Sequence, residues 1–173
     1  MRSFFLLFAM TLSTHLLADT KPVSLVDLNR YIGTWYEIAS IPQSFAQNCF
    51  CTRAEYSLKK NGGIKVLNTC NKKSIYGRLS QARGNAKVAN KKTNSELKVS
   101  FFGPFYGDYW IIGLEENYEY AVVSNREGSS LWILSRTPQM KMEDFNEALL
   151  IAKSNGIDTS KLRYMEQMGC HYP

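Results

Sequence analysis

The side chains best equipped for chemistry in this 173-residue sequence are four cysteines, Cys49, Cys51, Cys70 and Cys170. Metal ligation, thiol attack and disulfide bonding are the three uses open to them. Cys49-Phe50-Cys51 lacks the two-residue spacer of a thioredoxin-type redox pair. Imidazole is scarce as well, because His15 sits in an N-terminal apolar stretch and His171 is the other histidine. An even number of cysteines in an exported chain reads as two disulfides. A free Cys49 or Cys51 would be the remaining route to a nucleophile. No Ser-His-acid arrangement, phosphate loop or metal spacing accompanies them, so we expect no enzyme, no metal and no cofactor.

The N-terminus carries the evidence for export. Arg2 is a positive start, Phe4 to Leu17 is an apolar run too short for a comfortable membrane span, and Ala18 is a small residue at a cleavage position. We expect residues 1–18 to be a cleaved signal peptide and 19–173 a single domain in the periplasm or beyond the cell. The junction Leu16-Leu17-Ala18-Asp19 has no cysteine, which disfavours a lipid anchor. The formal net charge is +6, but Lys59-Lys60, Lys72-Lys73 and Lys91-Lys92 lie beside turn residues, without a stacking motif or basic helix, so no nucleic-acid partner is expected.

The elements that must position any site are strands. Short runs recur between turn signals: Thr34 to Ile41, Thr52 to Leu58, Ile64 to Asn68, Tyr76 to Ser80 with Gly84 to Val88, Leu97 to Phe102, Tyr109 to Leu114, Tyr118 to Ser124 and Leu131 to Arg136. Lys60-Asn61-Gly62-Gly63 is a hairpin signal, since Asn and Gly tolerate positive φ. Phe145, Ala148, Leu149 and Ala152 recur at helical spacing between Met142 and Ser154, and Asn155-Gly156 ends the helix. Leu162 to Met165 reads as a last short strand. The order predicts an all-β fold, an eight-stranded antiparallel up-and-down barrel with one C-terminal α-helix and a final strand. Such a barrel has an interior that can hold one small ligand.

Three segments carry a family resemblance. Gly33-Thr34-Trp35-Tyr36-Glu37 matches the Gly-x-Trp opening of lipocalins, and Leu131 to Pro138 resembles the last barrel strand with its arginine, Arg136. Between them, Lys98 to Gly107 is similar to the branch that holds the bacterial lipocalins and apolipoprotein D. The likeness runs from about Leu28 to Met165. It implies that Gly33, Trp35 and Arg136 are structural, with Arg136 lying across the Trp35 ring at the closed end. The family's Thr-Asp-Tyr motif is replaced by Glu116-Asn117-Tyr118, a change confined to that end.

Alternation along the strands then orients a pocket. Trp132 and Leu134 share the inward face with Arg136. Glu37 and Ala39 share it with Trp35, Ala39 leaving room and Glu37 needing a partner unless the strand bends there. Alternate loops share the open mouth, which therefore carries Phe45, Phe50, Phe102, Phe105 and Tyr106, with Lys72 and Lys73 placed to meet a carboxylate or phosphate. Tyr106 would offer its hydroxyl to a head group. The expected partner is a small hydrophobic ligand, a fatty acid or lysophospholipid, held for transport, storage or scavenging. Transient membrane contact and a homodimer are the other partner candidates. Two different functions compete: an interaction module with an occluded barrel, and a thiol-dependent lipid isomerase. The Asn61-Gly62 hairpin brings Cys70 opposite the Cys49–Thr52 region. The family likeness favours Cys49–Cys70 with Cys51–Cys170 over Cys51–Cys70 with Cys49–Cys170.

Overall fold

A computed structural model describes residues 19–172; the expected signal peptide lies outside the described residues. A short helix α1 (Leu28–Tyr31) opens the domain, capped by the Asp27 carboxylate, which accepts from the Asn29 N–H at 2.9 Å. Eight antiparallel strands follow: β1 (Gly33–Ser40), β2 (Cys49–Leu58), β3 (Ile64–Lys72), β4 (Leu79–Val88), β5 (Glu96–Phe102), β6 (Phe105–Leu114), β7 (Tyr120–Ser124) and β8 (Leu131–Ser135). Each pairs with the next, β8 pairs with β1, and β1 pairs with β2 to close the barrel. Helix α2 (Met142–Ser154) and a two-residue strand β9 (Arg163–Tyr164) complete it.

The segments Tyr76 to Ser80 and Gly84 to Val88 resolve into one strand. β4 pairs with β3 without interruption from Asn71↔Leu79 to Ile64↔Ala86, while Tyr76 stands in the preceding turn. Gln81-Ala82-Arg83 carries no turn-forming residue, so nothing stops the ladder there.

Two apolar clusters divide the core. One fills the lower barrel around Trp35, Val66, Leu97, Ile111, Val123 and Leu134. The other lies outside the wall, where Ile112, Val122 and Ile133 meet Phe145, Ala148 and Ala152 of α2. β7 is consequently buried on both faces. Gly113 lets the helix approach this closely, for a Cβ there would stand 2.9 Å from Ile151 Cγ2.

The closed end is clamped by Arg136. Its guanidinium carbon lies 3.8 Å from the centroid of the fully buried Trp35 ring. Its N–H groups donate to the carbonyls of Ile32 and Thr34 at 3.0 Å and Tyr118 at 3.2 Å. Trp35 Nε1 donates to the Tyr31 carbonyl at 2.8 Å, tying the strand to α1. Gly33 (φ +99°) sits against this clamp, with a Cβ position 3.3 Å from Arg136 Nη1.

Towards the mouth, the ladder between β1 and β2 ends at Tyr36↔Arg53, and the C-terminal tail occupies the seam. β9 pairs with Ala39 and Ser40, the Met165 N–H donates to the Ile38 carbonyl, and the Cys51 N–H donates to the Glu166 carbonyl. The Gln167 amide nitrogen spans the seam, donating to the Glu37 carbonyl at 2.7 Å and the Thr52 carbonyl at 2.8 Å. Cys51 is bonded to Cys170 beside it, and Cys49 to Cys70 between β2 and β3.

Candidate functional site

The barrel encloses a cavity of about 350 Å³, inside the range of roughly 300–1,000 Å³ common for small-molecule sites. Its floor is aromatic. Tyr109 shares hydroxyl hydrogen bonds with Tyr31 at 2.8 Å and Tyr56 at 3.1 Å, which satisfies three phenols away from water. Burial is the main cause raising all three phenols, Tyr56 to about 12, so they stay neutral donors and acceptors near neutral pH.

Above the floor the wall is apolar, formed by Ala54, Val66, Val99, Phe101, Trp132 and Leu134. The Phe101 ring lies against Gly84, where a Cβ would come within 2.8 Å of Phe101 Cδ1. The rest of the lining includes the polar residues Glu37, Asn68, Asp108, Asn125 and Ser130. Glu37 is buried, and its Oε1 accepts the Ser40 hydroxyl at 2.6 Å. Burial pushes its carboxyl above the ordinary range, against the opposing effects of the Ser40 hydrogen bond and the Arg163 charge. Asp108 has its counter-ion, Lys98 Nζ at 2.5 Å. Arg53 also borders the cavity, with its guanidinium engaged by Glu55 at 3.4 Å and set over the Tyr172 ring at 5.3 Å.

The expected site residues separate into three groups. Trp132 and Leu134 stand on the cavity wall. Ala39 does not: a register shift between Glu37 and Ala39 breaks the alternation and turns Ala39 outward into the cluster beneath α2. Glu37 keeps the inward position, so the bend falls immediately after it. The mouth residues form a rim. Phe102 and Phe105 face each other across the tip of the β5–β6 hairpin and are about 80% exposed (80% and 79%). Tyr106 does not line the cavity: it falls on the strand face opposite Gly107 and Tyr109, and Lys87 Nζ stands 4.3 Å from its ring centroid. Lys72 spends its ammonium on the Gln47 carbonyl at 3.3 Å, Lys73 is exposed, and neither lines the cavity. Phe45 falls in the 3-10 turn Ser44–Ala46, and its side chain lies outside the described residues.

Several lining residues do not stand out in the sequence. Val99 and Phe101 follow Leu97 at a spacing of two, and that alternation is the signal that points to them. Asn68, Asp108 and the Tyr56–Tyr109 floor carry no comparable mark.

A closed eight-stranded barrel with an internal cavity, a Gly-x-Trp opening and an arginine stacked on that tryptophan defines a lipocalin. The lipocalin-like domain model matches residues 26–167, and the chain belongs to this family. It is 40% identical over 171 residues to the outer membrane lipoprotein Blc of Vibrio cholerae, covering 96% of this chain and 99% of that one. The Blc lipoprotein of Escherichia coli K12 is 41% identical over 143 residues, 83% of this chain and 80% of its own. Apolipoprotein D of Mus musculus is 36% identical over 152 residues, with 83% and 78% covered. Among solved structures, insecticyanin from the tobacco hornworm superposes with a TM-score of 0.69 at 24% identity, covering 89% of this chain and 88% of that one. That last likeness concerns the fold.

Proposed function

We propose that this lipocalin binds a single-chain lipid, a fatty acid or lysophospholipid, and carries, stores or scavenges it in the bacterial envelope. The observation that supports this most is the lining of the cavity: a largely apolar wall with a few polar side chains, and exposed aromatic residues, Phe102 and Phe105, on the β5–β6 hairpin. An acyl chain fits the apolar wall and a head group the polar side chains. The kinship with Blc lipoproteins supports the envelope setting.

The two competing functions have less support. A cavity of this size counts against an occluded interaction module. Cys49 and Cys51, the candidate nucleophiles of an isomerase, are both engaged in disulfides. The relatives are named lipoproteins; for this chain we infer export without an anchor, since each of its four cysteines is half of a disulfide. Its release by osmotic shock without detergent would support that inference, and retention in the membrane fraction would overturn it.

Native mass spectrometry of protein purified from a periplasm tests the main reading. A discrete added mass that extracts as fatty acid or lysophospholipid is the expected result. A bare protein that also takes up no added lysolipid would reject it.

A further inference from the structure

We propose that Glu37 makes this cavity selective for lipids whose head group carries a cationic nitrogen, and unreceptive to a free carboxylate. The inference rests on the lipid-binding reading above and narrows it.

The wall carries two acids of opposite circumstance. Asp108 is matched by Lys98, so its charge is spent. Glu37 is buried and forms no ion pair among the described residues. Its single side-chain hydrogen bond there comes from a neutral hydroxyl, Ser40, and occupies one oxygen. Arg163 on β9 is the cation near enough to act on it, and that guanidinium is set over the Phe50 ring at 6.0 Å. The remaining cation bordering the cavity, Arg53, is engaged by Glu55 and Tyr172. Lys72 and Lys73 stay outside at the rim.

A lipid whose chain lies along Val99, Phe101 and Trp132 can place its head at the level of Leu134, where Glu37 faces the cavity. An ammonium there donates a charge-assisted hydrogen bond to the open carboxylate oxygen. Trp132, which pairs with Ser40 across the ladder, adds an aromatic wall beside it that suits a cation. A carboxylate in the same place meets a second acid in a poorly solvated space, so one of the two must take up a proton. The same glutamate thus attracts one class of head and repels the other.

The test uses three ligands of one chain length, dodecylamine, dodecanol and dodecanoate, titrated into delipidated protein near neutral pH by calorimetry. The expected order is amine, alcohol, carboxylate, with the amine favoured over the carboxylate by roughly tenfold or more. Glu37→Gln, similar in shape, should bring the three affinities together. Equal affinities in the wild type, or a carboxylate preferred, overturn the proposal without touching lipid binding. Failure of all three to bind would instead reject the lipid-binding reading. The wild-type series decides alone, so the test holds even where the variant folds poorly.

Discussion

Removing the Cys51–Cys170 bond by a Cys51→Ser/Cys170→Ser pair should cost more stability than removing Cys49–Cys70 by the equivalent pair. The two bonds differ chiefly in the chain they enclose, 119 residues against 21. In the loop-closure model these lengths correspond to about 4.9 and about 3.3 kcal/mol at room temperature, a gap of about 1.5 kcal/mol. For a domain of this size that gap is roughly 3–6 °C in Tm. Guanidinium unfolding of both double variants, followed by tryptophan fluorescence under non-reducing conditions, reads the difference directly. Tail contacts refine the expectation. Gln167, Met165 and Glu166 hold the seam through hydrogen bonds to or from backbone groups, so the tail should remain docked in the folded variant with only its tether lost. Equal losses, or a larger loss for the short loop, would refute the reasoning and place the bond's value in native contacts.

Two further outcomes concern single residues. Arg136→Lys keeps the charge but loses the planar fork that serves four carbonyls and covers Trp35, so stability in urea should fall by roughly 2–4 kcal/mol while lysolipid affinity at saturating folded protein holds. Glu37 sets a pH dependence: burial raises its carboxyl above the ordinary 4.5, so the folded state keeps a proton that the unfolded chain has already released. Its contribution is therefore full below pH 4.5 and is lost as pH rises through the raised value, so wild type minus Glu37→Gln, measured by denaturant titration, should decline with rising pH.

The barrel is largely readable in the sequence because its physics is periodic. Alternation and turn residues locate eight strands, and helical spacing locates α2 to the residue, Met142–Ser154. Trp132 and Leu134 face the cavity as alternation expects, because β8 runs without a bulge against β7. Ala39 departs from it because a bulge inserts a residue into a period of two, and nothing in Glu37-Ile38-Ala39 requires one. Tyr106 follows the alternation of β6, opposite in facing to Gly107 and Tyr109, and its expected head-group role rests on its mouth loop and the family likeness. The tail is opaque for another reason. Gln167 acts through an amide bridging two backbone carbonyls, an arrangement with no hydrophobic pattern and partners more than a hundred residues away.

The seam gives this vessel an order of manufacture. Strands β1 and β2 are among the first parts of the domain to be synthesised, yet the stave between them is cut from the last stretch of the chain. Until those residues arrive, the container has a slit running down from its lip. A product truncated before Arg163 would lack that stave even with its eight barrel strands folded.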